Sequence, residues 1–235
     1  MNESISSSLR RLLPSLFTFS NLFCGFSAVV LAGHEKLAIA AVCILAGNVL
    51  DGLDGGIARR LGVASAFGLQ LDSLVDVVTF GMAPSMLVYY HWRSMALSPV
   101  ITWIVCAAYL MGGVFRLARF NLLPPKTSHG DIIGLTISIS GGTLALSVLA
   151  NRAYNHRLIP PVVFLLLVTI LTFLMVSRVR YPGMGAILRR RWLSLSGLGV
   201  AAVMSVWVSP LVAWLCLIGC YLVFGLGRAI LELVR

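Results

Sequence analysis

The sequence predicts an all-α protein, a polytopic bundle of about eight transmembrane helices, and three observations carry that prediction. Apolar residues make up 59% of the 235-residue chain and charged residues only 11%, against about a quarter charged in a soluble domain. The mean hydropathy is +0.95. Apolar runs of about the 20 residues needed to cross a bilayer follow one another along the chain, separated by short basic connectors.

The first run, 12–33, follows Arg10 and Arg11 and is too long for the core of a signal peptide, so it is read as the first span. The second and third, 37–58 and 66–90, flank the connector Arg59 to Ala66, which is long enough to reverse the chain. The fourth, 98–117, ends among Arg116 and Arg119. Runs at 132–150 and 158–176 follow, and then 193–208 and 210–230, which are divided only around Ser209 and Pro210. No repeat, low-complexity tract or soluble domain interrupts this order, so residues 1–235 are read as a single integral membrane domain.

Charge sets the orientation. With the N-terminus inside, 14 of the 18 basic residues fall in inner segments, while Lys36, Arg93, Arg152 and Arg157 lie outside. The excess of basic residues in cytoplasmic loops then places both termini in the cytoplasm. The net charge of +10 is therefore a topology signal, and no nucleic-acid partner is expected. The five cysteines all sit in apolar runs, where a thiol behaves as a small hydrophobe, and no disulfide framework is implied. The four histidines are scattered singly in connectors and are read as solvated.

Four of the eight acidic residues lie in one stretch, DGLDGGIARRLGVASAFGLQLDSLVD, at Asp51, Asp54, Asp72 and Asp76. An aspartate at the centre of a membrane helix costs about 2.5 to 3.5 kcal/mol on insertion scales, so a cluster needs compensation. Residues three or four apart share a helical face, so Asp51 with Asp54, and Asp72 with Asp76, each present two carboxylates in one direction. Reversal of the chain between them brings the pairs together at the cytoplasmic side. Oxygen ligands without Cys or His favour Mg²⁺ or Mn²⁺, and four carboxylates exceed what one Mg²⁺ takes, so two cations are expected. Such a site suits phosphoryl chemistry. Gly55, Gly56 and Gly68 allow a bulky substrate close to the backbone, and Arg59 can neutralise phosphate oxygens. The alternative from another class is a divalent-cation transporter, but a pathway needs acidic groups spread through the membrane depth, and the other spans carry none.

The stretch resembles the CDP-alcohol phosphotransferase signature, DGxxAR followed by GxxxDxxxD, extended by an Asp three residues earlier. Asp51, Asp54, Gly55, Ala58, Arg59, Gly68, Asp72 and Asp76 match every signature position. The resemblance implies about six core membrane helices, two divalent ions held by the four aspartates, a CDP-linked lipid as donor and CMP as leaving group. It assigns Asp76 the additional role of general base. Within that superfamily LPSLFTFSNLFCGFSAVVLA, LDSLVDVVTFGMAPSMLVYY and FRLARFN are similar to stretches of the membrane-embedded phosphatidylserine synthases. This implies CDP-diacylglycerol and L-serine as substrates, an active site facing the cytoplasm, and a homodimer. Other alcohols, such as glycerol phosphate or inositol, and an archaeal-type lipid donor remain alternatives. The family's G-L-P loop is here Gly134-Leu135-Thr136.

Recognition of the two substrates is read from polar residues near the signature. Asn21, within the first apolar span, either meets the CDP-lipid together with Gly55, Ala58, Arg59 and Gly68 or bonds to a neighbouring helix. A serine carboxylate calls for Arg or Lys. Arg116 and Arg119 share a helical face beside Asn121, either as acceptor or phosphate ligands or as anchors to lipid headgroups.

Overall fold

The computed structural model describes residues 2–62, 65–93, 98–122, 131–155 and 158–182, with Cys216, residues 218–220 and Gly227. The expected seventh and eighth spans lie outside the described residues, apart from those few positions. Helix α1 (Asn2–Gly33) turns into α2 (Leu37–Leu61) through three residues. Lys36 N–H donates to Leu31 O at 2.9 Å and Glu35 N–H to Ala32 O at 3.0 Å, while Glu35 takes the left-handed conformation (φ 60°). This is the helix-ending arrangement in which a residue with positive φ closes the last carbonyls. The short link makes α1 and α2 antiparallel neighbours, which is what places Thr18 beside Asp54 and Asn21 beside Gly47 of α2.

The third span runs continuously from Ala66 to Arg93, as α3 (Ala66–Asp76), a π-helical turn (Val77–Met82) and α4 (Ala83–Arg93). Ser65 caps its start, accepting the Gly68 N–H at 3.0 Å. Pro84 explains the wide turn. A proline has no N–H to give the carbonyl four residues earlier, so Phe80 O is released from the ladder, and the Tyr109 hydroxyl donates to it at 3.0 Å. Helix α5 (Pro99–Leu122), which carries Tyr109, is thereby fixed against the middle of the third span.

Helix α6 (Ile137–Ala153) packs on α2 and α4, and α7 (Pro161–Val176) packs on α5. The core between them is filled by Ile44, Phe80, Leu87, Trp92, Leu144 and Phe164, all fully buried. Where α1, α2 and the π turn cross, side chains are absent for lack of room. A Cβ on Gly25 would lie 2.4 Å from Thr79 Oγ1, and one on Gly47 would lie 2.7 Å from both Thr79 Cγ2 and Asn21 Oδ1.

Several boundaries differ from those expected. Residues 131–133 are not helical. They form strand β1 (Asp131–Ile133), antiparallel to β2 (Arg180–Pro182) with Ile132 opposite Tyr181, so the described chain is helical with one two-stranded ribbon. Gly134 follows at φ +76°, and a Cβ there would meet Met175 O at 2.7 Å. Its N–H donates to Val179 O at 2.7 Å, which draws the loop alongside the end of α7 and delays α6 to Ile137. The fourth span continues to Leu122, so Arg116, Arg119 and Asn121 are helical. Four described helical segments are long and apolar enough to cross a membrane, Ser15–Gly33, Leu37–Ile57, Ala66–Arg93 and Pro99–Leu122, and Pro161–Val176 is apolar but shorter.

Candidate active site

The α2 and α3 segments bring together three of the four aspartates expected to meet. Asp51, Asp72 and Asp76 each offer a carboxylate oxygen, and these oxygens all lie within 4.8 Å of one another. At that separation two like charges repel by about 3 kcal/mol for an effective dielectric constant of about 20. Asp76 is 7% exposed, and Asp51 and Asp72 are half-buried. Asp72 Oδ1 and Asp76 Oδ1 are buried with no hydrogen-bond partner. Buried carboxylate oxygens in native proteins are otherwise almost always bonded, so a ligand is the natural complement. The donor set is all oxygen, which fits a hard divalent cation of the Mg²⁺ or Mn²⁺ type.

Asp54 is not part of that three-residue group. It is buried one helical turn further along α2, and its Oδ2 accepts a hydrogen bond of 3.0 Å from Thr18 Oγ1 on α1. It acts electrostatically on both Asp51 and Asp72, so it belongs to the same field of charge. Asp51 in turn is hydrogen-bonded by the Ser138 side chain at the start of α6. Asn48, three residues before Asp51, donates to Ser138 O at 3.1 Å and ties the two helices. Thr18 and Ser138 are not singled out by the sequence. The available signal for Thr18 is its spacing of three from Asn21, which puts both on one face of α1.

Asn21 is fully buried, and neither its Oδ1 nor its Nδ2 has a hydrogen-bond partner. Its backbone carbonyl accepts from Thr79 Oγ1 at 3.1 Å, so the main chain is satisfied and the side-chain amide is not. Gly56, like Gly52, faces open space, with nothing within 4 Å of a Cβ placed there. Gly55 is half-buried. Gly68 serves the cap of α3 through its N–H. Ala58 and Arg59 are helical in α2, but their side chains lie outside the described residues.

The three α5 residues expected at the acceptor have different partners. Arg116 is 6% exposed, its Nε has no partner, it lies 5.2 Å from the Phe120 ring centroid, and it acts electrostatically on Asp76. Arg119 instead caps α7. Its Nη1 donates to Val176 O at 2.8 Å, and its Nη2 to Ser177 O at 3.0 Å and Met175 O at 3.4 Å. A guanidinium suits this place because it meets the unsatisfied carbonyls at the negative end of the helix dipole. Asn121 donates to Ser73 Oγ at 3.1 Å and to Gln70 Oε1 at 3.4 Å, so it joins the end of α5 to α3.

The family model for CDP-alcohol phosphatidyltransferases matches residues 11–225. The chain belongs to the CDP-alcohol phosphatidyltransferase family. It is 34% identical over 230 residues to the CDP-diacylglycerol–serine O-phosphatidyltransferase of Helicobacter pylori strain J99, covering 95% of this chain and 93% of that protein. The enzyme of the same name from Bacillus subtilis strain 168 is 34% identical over 172 residues, 72% of this chain and 89% of the relative. An archaetidylserine synthase from Methanothermobacter thermautotrophicus is 31% identical over 185 residues, covering 74% and 72%. As a member of this family the chain is a phospholipid-synthesising transferase of the membrane, and the aspartates lie within the matched residues.

Proposed function

We propose that the chain transfers the phosphatidyl group of CDP-diacylglycerol to the hydroxyl of L-serine, giving phosphatidylserine and CMP. The observation that carries this reading is the group of buried carboxylates with unpartnered oxygens within a family member whose relatives act on CDP-diacylglycerol and serine. Asp51, Asp54, Asp72 and Asp76 would hold two divalent cations, Mg²⁺ or Mn²⁺. When bound, such a pair neutralises the diphosphate and stabilises charge on the attacking and leaving oxygens.

The chain's own residues do the rest. Asp76 takes the serine hydroxyl proton through a carboxylate oxygen that no protein group occupies. The serine oxygen then forms a bond to the β-phosphorus, the phosphorus attached to diacylglycerol, and the bond from that phosphorus to the oxygen of CMP breaks. Asn21, Gly55, Ala58, Arg59 and Gly68 receive the CDP-lipid, the open backbone at Gly56 providing room beside them. Arg116, with a spare donor and Asp76 within its electrostatic reach, reads the serine carboxylate. Residues 1–235 act as one domain with the centre facing the cytoplasm, and a homodimer is the expected assembly.

The archaeal relative supports a second reading of the donor alone, in which the CDP-lipid has an archaeal backbone and the acceptor is still serine. Radiolabelled serine, inositol and glycerol phosphate supplied to purified protein with CDP-diacylglycerol and Mn²⁺ distinguish the acceptors. Serine-dependent CMP release is expected. Release driven by glycerol phosphate or inositol and not by serine would overturn the assignment, and turnover only with an archaeal CDP-lipid would favour the second reading.

A further inference from the structure

The hydroxyl side chains of the spans mostly bond within their own helices. Ser20 donates to Leu16 O at 2.8 Å, Ser147 to Thr143 O at 2.7 Å, and Thr172 to Val168 O at 2.8 Å. This is the usual resting place of Ser and Thr in a membrane helix. Thr18 reaches across from α1 to Asp54 Oδ2 at 3.0 Å, with both residues buried, at 6% and 5% exposure. A bond to one carboxylate oxygen fixes the rotation of the carboxylate plane, and with it the direction in which the group meets a ligand. Groups that orient a ligating side chain from behind contribute to affinity without touching the ligand.

We propose that Thr18 is a positioning residue for the aspartate centre, holding the Asp54 carboxylate in the orientation that receives a divalent cation. This rests on the proposed function of the four aspartates. Helix α1 is thereby part of the centre. Its Thr18 orients Asp54, and one turn deeper Asn21 presents an unsatisfied amide beside the same two helices. The hydroxyl hydrogen is the required feature. Valine matches the shape of threonine and lacks it, while serine retains it.

The experiment is equilibrium Mn²⁺ binding, read from the free-ion EPR signal, to the purified full-length chain in detergent with saturating CDP-diacylglycerol and no acceptor. Thr18→Val should weaken Mn²⁺ binding by about tenfold, the low end for loss of an orienting partner. Thr18→Ser should bind within about threefold of wild type. Wild-type affinity in Thr18→Val, or an equal loss in Thr18→Ser, would overturn the proposal and leave the aspartate assignment standing. Absence of Mn²⁺ binding by the wild-type chain would overturn both. If Thr18→Val does not elute as a single species, Thr18→Ala is read by the same criteria.

Discussion

Asp51 of α2 groups with Asp72 and Asp76 of α3, Asp54 lies one turn further along α2, and the aspartates of the two helices are held differently. Asp51 and Asp54 are each bonded by a hydroxyl from another helix, Ser138 on α6 and Thr18 on α1. Asp72 and Asp76 each keep a buried oxygen with no partner. Asp76 also shares a side-chain hydrogen bond with Asp51, so the contrast is between a pair bonded by hydroxyls from α1 and α6 and a pair that keeps one bare oxygen on each carboxylate. On the proposed function, the carboxylates bonded from other helices would fix the position of the cations, and Asp76, with one oxygen bare, would exchange the proton.

The largest expected effect falls on the α3 pair. Asp76→Asn keeps the shape of the group but removes its capacity to accept a proton, so turnover should fall by at least about a hundredfold, the scale of losing a general base. CDP-diacylglycerol binding, measured separately by equilibrium dialysis into mixed micelles, should persist. Turnover like that of wild type would put the base elsewhere. In the α2 pair, Asp54→Asn should act through binding, raising the half-saturating Mn²⁺ concentration by about tenfold. A loss confined to the turnover of metal-saturated enzyme would erase the distinction between the two pairs.

A smaller contrast divides the arginines of α5. Arg116→Gln should raise the KM for serine by about tenfold while leaving that for CDP-diacylglycerol nearly unchanged, since a contact to the acceptor alone is lost. Arg119→Gln should leave serine KM alone and lower thermal stability by about 1 to 2 kcal/mol, because charge-assisted bonds to the carbonyls at the end of α7 are removed. Were the two phenotypes exchanged, the acceptor would lie against α7 rather than against Asp76.

The four aspartates were legible in the sequence because charge inside apolar runs has few structural explanations, and because spacings of three and four on helices dictate a shared face. The short link between α1 and α2 was legible for a similar reason. What the sequence hid depended on contacts between distant segments. Thr18 and Ser138 look like ordinary small hydroxyls until α1 and α6 are laid beside α2. Arg119 belongs to helix capping only because α7 ends where it does, and the two prolines at Pro160 and Pro161 begin that helix later than the apolar run. The start of α6 was misplaced because Gly134 reads as part of an apolar run, although its backbone conformation and its bond to Val179 exclude a helix there. The π turn follows from Pro84, yet only Tyr109 shows what the released carbonyl is used for.

The central claim, that both pairs of aspartates form one cation-dependent transfer centre, is tested most directly by the Mn²⁺ dependence of CMP release. Purified protein would be stripped with EDTA, supplied with CDP-diacylglycerol and serine, and titrated with Mn²⁺ or Mg²⁺ while CMP is followed. The account predicts no release from the stripped protein and full recovery with the added ion. Undiminished CMP release from protein free of divalent metal would contradict it.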